Sequence, residues 1–251
     1  VANITGLSRE KLGVMYSNQG GFLDIAHVRD TADNVLYLFT QIYPRLGQTF
    51  SISLSAELFE RRIQFFSTDI SKLTSEQRYT LAAYMASFAA YQMAVWHEVA
   101  QWYGFQSVPG FSEEISAFSP EDLYSNLLGA RIATSVILEG NAASIKQYNR
   151  AMKFALPKAL LALEGVSVEA SKAKFNEIDG VWWDSQRRIP EKYLVLYRDY
   201  SLAYDRKPAT LDGNGLRLTL TDTLYGLNFD QLMEFHLWVT AKKGQKPYYF
   251  T

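Results

Sequence analysis

Apolar side chains recur every three or four residues along three long stretches of the chain, and this spacing predicts amphipathic helices. The stretches are residues 22–43, 74–103 and 119–138. The second begins at Thr74, and Gln77 follows three residues later, which is the pattern of a capping box. The third begins with Ser119 and Pro120, an N-cap residue and a first-turn proline. Because residues 80–96 carry no charge, the second helix is predicted to be buried at the centre of the fold.

Two further helices are expected from the same spacing. One covers residues 142–163, and Pro157 should bend or break it, because proline removes a helical hydrogen bond and crowds the preceding turn. The other begins at Asn228 or Asp230 as the N-cap and ends near Thr240. It would place His236 on a helix.

Strands are predicted in two regions. Near residues 48–66, apolar residues first alternate with serines and then recur after two arginines, which indicates two short strands joined around residues 56–60. In the C-terminal third, residues 216–220 alternate in the same way after turn chemistry at residues 212–215. The predicted fold class is therefore mainly α with α+β character, built around a buried central helix with short antiparallel strands in these two regions.

Neither a linker, an internal repeat nor a low-complexity tract divides the sequence. We expect a single domain over residues 1–251. Within it, residues 1–20 should form an irregular N-terminal segment, residues 22–163 should be mainly helical, and residues 180–251 should mix β and α structure.

The 251 residues include no cysteine and three histidines, His27, His97 and His236. The lack of cysteine excludes disulfides, iron–sulfur clusters, cysteine-based zinc sites and a thiol nucleophile. The glycine fingerprints of nucleotide sites are also missing, and we expect no nucleotide, flavin or haem cofactor. A bound metal, for which zinc or a similar divalent ion is the expectation, would be held by imidazole and carboxylate groups.

The overall charge gives no support to two classes of partner. The formal net charge is −1, so electrostatic binding of nucleic acid or of an anionic membrane surface is not expected from the balance. The uncharged stretch at residues 80–96 is shorter than the roughly 20 residues that a bilayer span needs. Because the sequence begins at Val1 rather than at a methionine, any signal or lipidated anchor segment would lie upstream.

His97 and Glu98 form the most informative polar pair, because they lie on the otherwise apolar central helix. A carboxylate in such surroundings needs a partner, a proton or a metal ion. The pair begins like a zinc-peptidase motif, but Gln101 stands where the second histidine is required. A zinc peptidase of that type is therefore not predicted. Two interpretations stay open, namely a functional site that includes Gln101 and a buried pair that only fixes helix packing.

Asp24, His27 and Asp30 follow one another at three-residue spacing, which places them along one side of the first predicted helix. A histidine flanked by carboxylates suits general-base catalysis or metal binding. The structural alternative is a solvated helix face, on which Asp24 interacts favourably with the helix dipole.

Further acidic candidates lie after the central helix. Glu114 and Ser116 belong to the loop that follows it, and Glu121 and Asp122 begin the next helix. Glu114 or Glu121 would complete a metal or catalytic site. Ser116 and Asp122 would lie around that site and hydrogen-bond to its residues. The two first-turn acids also have a sufficient explanation in the helix dipole. His236 has apolar neighbours and is expected to pack rather than react.

Four segments resemble a family of bacterial exported proteins, many of them lipoproteins, that is known only as a domain of unknown function. They are residues 20–33 (GGFLDIAHVRDTAD), 96–104 (WHEVAQWYG), 116–129 (SAFSPEDLYSNLLG) and 180–184 (GVWWD). The resemblance covers nearly the whole chain and implies an exported protein in the periplasm or attached to the envelope, without an established activity. It places the family's polar motifs on His27, Asp30, His97, Glu98, Ser116, Glu121 and Asp122. The chain has no cysteine to carry a lipid anchor.

These observations predict an uncharacterised envelope protein that acts as a metal-dependent hydrolase, with its site between the first and central helices. His27 and His97 would be metal ligands or bases. Glu98 would be the general base or a third ligand. Glu114 or Glu121 would be a further ligand. The substrate would be a small molecule, a lipid or a glycan of the envelope.

The alternative is a non-catalytic binding or structural protein. In that case the His and Glu pairs are structural, and the aromatic C-terminal third is the contact surface, because aromatic side chains supply binding area at low entropic cost. Exposure of Trp182, Trp183, Tyr248 and Tyr249 would favour this interpretation.

Overall fold

The computed structural model describes residues 13–110 and 112–239, and the backbone of residues 248–250. Residues 1–12 of the predicted irregular segment and the predicted helix end at Thr240 lie outside the described residues. The helices are α1 (Ile25–Ile42), α2 (Ser75–Trp102), α3 (Asp122–Leu138), α4 (Ile145–Ala162), α5 (Val168–Glu177) and α6 (Phe229–Leu232). The strands are β1 (Val14–Ser17), β2 (Gly21–Asp24), β3 (Phe50–Glu57), β4 (Phe59–Phe65), β5 (Asp205–Arg206), β6 (Leu218–Thr219), β7 (Thr223–Leu224), β8 (Leu227–Asn228), β9 (Met233–Val239) and β10 (Tyr248–Phe250).

The predicted central helix is confirmed as α2, which packs against both α1 and α3. Its capping box is complete: Thr74 Oγ1 accepts a hydrogen bond from the Gln77 N–H at 3.2 Å, and Gln77 Oε1 accepts one from the Thr74 N–H at 2.9 Å. Between Leu81 and Tyr91 nearly every α2 side chain is buried. Such all-round burial requires partners on every side, which explains why the helix lacks a polar stripe.

The contact between α1 and α3 is close because of one glycine. A Cβ atom built on Gly129 of α3 would lie 2.1 Å from the carbonyl oxygen of Val28 in α1. This approach brings the beginning of α1, where His27 lies, against the beginning of α3.

A four-stranded antiparallel sheet, in the order β10-β9-β4-β3, packs on the helices. The hairpin predicted around residues 56–60 is confirmed as the β3–β4 pair. Ile52, Ile63 and Phe65 lie in the same hydrophobic core as α1, α2 and α3. The mainly α fold class with short antiparallel strands is therefore confirmed.

The predicted last helix is largely wrong. Asn228 does cap α6 through a hydrogen bond from the Asp230 N–H at 2.9 Å, but α6 has only 4 residues. The chain then continues as β9, and His236 lies opposite Arg62 of β4. The segment Met233–Val239 is stabilised by pairing with β4, a distant strand that local spacing does not reveal.

Two predicted boundaries and one predicted helix break also differ. Helix α1 begins at Ile25 rather than near residue 22, because residues 21–24 pair with β1. Helix α3 begins at Asp122, and the Ser119 hydroxyl bonds to Glu121 instead of capping the helix. Helix α4 continues through Pro157, because Met152, Leu156 and Leu160 hold its inner face in the core. The strand predicted over residues 216–220 is shorter in the structure, where β6 covers Leu218–Thr219.

No helix within the described ranges combines the length and the apolar character that crossing a membrane requires.

The close contact at Gly129 gives a test of the packing. Gly129→Ala should lower the free energy of unfolding by about 1–3 kcal/mol, because the added methyl group forces α3 away from α1. Helix propensity alone predicts the opposite sign, a gain of about 1 kcal/mol. Ser135→Ala on the exposed face of α3 is the control and should change stability little. Urea denaturation measures both variants, and a stabilised Gly129→Ala protein would contradict the packing.

Candidate functional site

The beginnings of α1 and α3 meet the last turns of α2. Asp24 caps α1, with Oδ1 accepting hydrogen bonds from the backbone N–H groups of Ala26 at 2.7 Å and His27 at 3.3 Å. The backbone N–H of Asp24 donates to Ser125 Oγ of α3 at 2.9 Å. These bonds fix the start of α1 against the first turn of α3, and so place His27 beside Asp122.

His27 and Asp122 form the outer pair of the site. The imidazole Nδ1 lies 3.2 Å from Asp122 Oδ1, within ion-pair distance although not aligned as a hydrogen bond. The side chain of His27 is 24% exposed, whereas that of Asp122 is 3% exposed. Because Nδ1 itself is buried, the imidazole meets solvent with its other atoms.

Glu98 of α2 forms the inner part of the site and is fully buried. Its Oε2 accepts a hydrogen bond from the Phe118 N–H at 2.8 Å, and its carboxyl group lies beside that of Asp122. Phe118 has a φ of +58°, an uncommon conformation for a residue with a Cβ. Its carbonyl oxygen accepts a hydrogen bond from the Asp199 N–H at 2.9 Å, which holds the strained residue in place.

Burial raises the pKa of both inner carboxyl groups. The pKa of Glu98 lies well above its ordinary value because of burial and then because of the neighbouring Asp122. The pKa of Asp122 is also well above normal, through burial and then through Glu121. Oε1 of Glu98 and Oδ2 of Asp122 are buried without a hydrogen-bond partner from the described chain. A proton shared by the two carboxyl groups would supply the donor that these oxygens lack.

More acids surround this pair. Glu121 is partly exposed and accepts a hydrogen bond from the Ser119 hydroxyl at 2.7 Å, and burial of its carboxyl group raises its pKa. Asp30 lies on the exposed side of α1. Desolvation raises the pKa of Asp30, and the nearby imidazoles of His27 and His97 act in the opposite direction. The site is therefore acidic overall.

His97 belongs to a neighbouring network. Its Nδ1 lies 3.3 Å from Glu57 Oε1, and the other oxygen of Glu57 lies 2.6 Å from the guanidinium of the buried Arg61. Burial lowers the pKa of His97, but hydrogen bonding to Glu57 and its charge outweigh burial, so the net shift is upward. Glu57 and Arg61 were not predicted, because they meet His97 through the fold of the β3–β4 hairpin.

Gln101 determines the tautomer of His97. The amide nitrogen of Gln101 lies 2.9 Å from His97 Nε2 and 2.9 Å from Glu113 Oε2. An amide nitrogen only donates, so in this arrangement Nε2 of His97 accepts and Nδ1 carries the proton towards Glu57. Gln101 thus acts as a polar partner of His97.

The structure brings some of the predicted site residues together and places others elsewhere. It brings together His27, Glu98 and Asp122, surrounded by Asp24, Asp30 and Glu121. Glu114 instead pairs with Lys192 at 3.4 Å, and the exposed Ser116 donates to the carbonyl of Glu113 at 3.2 Å. Neither residue is seen to contact the histidines.

The described part of the chain contains no group of three or more His, Asp and Glu side chains arranged to hold a metal ion. The metal site predicted from His27, His97, Glu114 and Glu121 therefore gains no support from this geometry. Glu114 and His97 have other charged partners, Lys192 and Glu57.

The two tryptophans that bear on the binding alternative are partly buried. The Trp182 ring packs 6.0 Å from Phe22, and Trp183 packs 4.7 Å from Phe175 between ring centroids. Both therefore contribute to a small core beside β1 and β2. The side chains of Tyr248 and Tyr249 lie outside the described residues.

Residues 1–212 match the family described as "Protein of unknown function (DUF4056)". Because the match spans most of the chain, this protein belongs to that family, and the resemblance to a domain of unknown function is confirmed. No curated protein and no solved structure was found to match. That description names no activity.

The buried carboxyl pair predicts how stability depends on pH. With a pKa raised in the folded state, Glu98 keeps a proton that the unfolded chain releases above its ordinary value of 4.5. The folded protein should therefore lose stability as pH rises from about 4.5 through the folded-state pKa, by up to about 1.4 kcal/mol per pH unit for one proton. Glu98→Gln imitates the protonated form and should flatten this slope in urea titrations between pH 5 and 8.

The exposed Glu169 in the first turn of α5 provides the control, since Glu169→Gln should keep the slope of the parent protein. An unchanged slope in Glu98→Gln would show that Glu98 is ionised in the folded protein.

The Glu57 contact predicts the titration of His97. Glu57→Gln should lower the pKa of His97, because the charge that outweighs burial is removed. The imidazole proton resonances, followed by NMR against pH, measure this shift. Glu234→Gln, which alters the carboxylate beside His236 instead, should leave the titration of His97 in place. If both variants leave it unchanged, Glu57 does not control His97.

Proposed function

We propose that this member of the DUF4056 family is a hydrolase whose general base is His27. The observation that carries the proposal is the order of exposure along His27, Asp122 and Glu98. A partly exposed imidazole faces a buried carboxyl group, and behind that group lies a second, fully buried one. An imidazole supported in this way can accept a proton from a water molecule at its solvent side.

Asp122 orients the base. With Asp122 ionised and facing Nδ1, the imidazole is favoured as the tautomer with its proton on Nδ1, and Nε2 is left free to accept. The 3.2 Å contact needs a small rotation to become an aligned hydrogen bond. Such tightening is common when a catalytic site binds its substrate.

Glu98 controls the charge of Asp122. Two adjacent buried carboxyl groups do not readily ionise together, so the pair holds one proton. Asp122 faces Nδ1 of His27, which stabilises its ionised form, whereas Oε1 of Glu98 is buried without a donor, so we assign the proton to Glu98. Glu98 then donates to Asp122, and Asp122 carries the charge that stabilises the imidazolium formed when His27 takes a proton.

The acids around the site favour one class of substrate. Asp24, Asp30 and Glu121 add negative potential next to His27, which disfavours phosphate esters and favours neutral or cationic molecules. We therefore propose an ester or amide bond as the target. Water attacks the carbonyl carbon and forms the new carbon–oxygen bond while its proton passes to Nε2 of His27. The bond from that carbon to the ester oxygen or amide nitrogen then breaks, and the proton moves from His27 to the alcohol or amine that leaves.

Hydrolysis that depends on a metal ion bound at the same residues is a second possibility, which the experiment distinguishes. One imidazole and two carboxyl groups are of the chemical types that zinc prefers, although the described residues are not arranged around a common point that would hold the ion. A location in the bacterial envelope is likewise a proposal, which rests on the family resemblance.

The test is a hydrolysis screen of the purified chain with chromogenic esters, amides, glycosides and phosphate esters. We expect turnover of neutral or cationic esters or amides, and a 10²- to 10⁴-fold loss of kcat/KM in His27→Gln, the range that general-base catalysis contributes. Asp122→Asn should lower kcat with little change in KM, because Asp122 acts through His27.

His236→Gln is the matched control, since His236 lies on β9 beside Glu234 and should be dispensable. Each assay is repeated after chelation and after addition of zinc, which separates metal-dependent from metal-free hydrolysis. Hydrolysis that survives in a folded His27→Gln protein, or no turnover in any substrate class, would contradict the proposal.

A further inference from the structure

Helix α4 carries charge of one sign. Its basic residues are Lys146, Arg150, Lys153 and Lys158, and all four are exposed. The helix is described along its whole length and contains neither Asp nor Glu. The formal net charge of the chain is −1, so the remaining residues together carry −5. The overall balance therefore conceals a strongly basic helix on an otherwise acidic molecule.

The same helix exposes large apolar side chains. Ile145 and Phe154 are each 72% exposed, and Leu161 is 58% exposed. Arg150, Phe154, Lys158 and Leu161 follow at spacings of four, four and three residues, so they form one outward stripe in which cations alternate with apolar groups. The opposite side of α4, with Met152, Leu156 and Leu160, lies in the core.

A groove of about 880 Å³ extends this surface towards α3. Its apolar lining includes Leu128 and Ile132 of α3 and Ala155 and Ala159 of α4. Cations border it at Arg131, Arg150 and Lys158, and Glu139 is the acidic residue that lines it. Apolar surface and positive charge thus occur side by side over both helices.

We propose that α4 binds the surface of an anionic phospholipid bilayer, with Phe154 and Leu161 inserted among the lipids. The cations match anionic headgroups, and the exposed apolar side chains match the acyl boundary below them. Nucleic acid would satisfy the cations but would leave the exposed Phe154 and Leu161 without an apolar environment. This binding is independent of the proposed hydrolase.

The experiment is co-sedimentation of the whole chain with vesicles. One set contains phosphatidylglycerol and phosphatidylethanolamine, and the other contains phosphatidylcholine alone. We expect strong binding to the anionic set, weak binding to the neutral set, and loss of binding when salt is raised, because exposed charges are then screened.

Two pairs of variants separate charge from apolar contact. Lys153→Gln with Lys158→Gln should weaken vesicle binding by on the order of fivefold for each lysine. Lys172→Gln with Lys207→Gln removes two exposed lysines outside α4 and should change binding little. Phe154→Ser should weaken binding by about tenfold, whereas Val181→Ser, at a site 64% exposed, should not.

The absence of cysteine allows a direct readout of insertion. A cysteine introduced by Phe154→Cys is unique in the chain and can carry an environment-sensitive fluorophore. Its emission should shift to the blue with anionic vesicles, while the same label on Val181→Cys should not shift.

Equal binding to both vesicle sets, or binding that the α4 variants leave unchanged, would overturn the proposal. So would an unshifted label at position 154. The α4 variants are also tested with DNA and with polyglutamate, and tighter binding to either of these than to anionic vesicles would assign the helix to an acidic macromolecule instead.

Discussion

Two carboxyl groups from different helices meet in the interior of this protein, and that contact constrains much of what surrounds it. Glu98 is fully buried on α2 and Asp122 is nearly so at the start of α3. Ionising both there would be strongly unfavourable, and from this we infer that the pair holds one proton. His27 lies on one side, and the Phe118 N–H lies on the other.

Several features of the fold maintain this contact. Gly129 permits the close approach of α3 to α1, and Asp24 ties the beginning of α1 to Ser125. The chain around Phe118 is held by Arg198, whose guanidinium donates to the carbonyl groups of Ile115 and Ala117. A buried carboxyl pair that is supported by so many elements is a typical place for chemistry, because activity requires groups whose pKa values are far from ordinary.

Local spacing in the sequence predicts the elements whose stability is local. It does not predict elements that depend on pairing with a distant segment. The capping box at Thr74 and the apolar run after it were sufficient for α2, and the alternation near residues 48–66 was sufficient for the β3–β4 hairpin. The β9 strand was predicted as a helix because its stabilising partner, β4, is far away in sequence. Within the site, Glu98 is predicted because a carboxylate is costly on an apolar helix, and His27 because carboxylates flank it on one helix face. Asp122 is predicted only as a supporting acid at the start of a helix. Their pairing, and the roles of Glu57 and Phe118, depend on the fold.

We infer that Glu98 holds a proton at neutral pH, and the proposed role of Asp122 beside His27 depends on it. Infrared difference spectroscopy with ¹³C-labelled glutamate measures it directly, because a protonated carboxyl group has a carbonyl band that an ionised one lacks. The account predicts such a glutamate band at pH 7, lost in Glu98→Gln and retained in Asp122→Asn, since burial alone still favours the neutral form of Glu98. A spectrum that contains only ionised glutamate at pH 7 would contradict it.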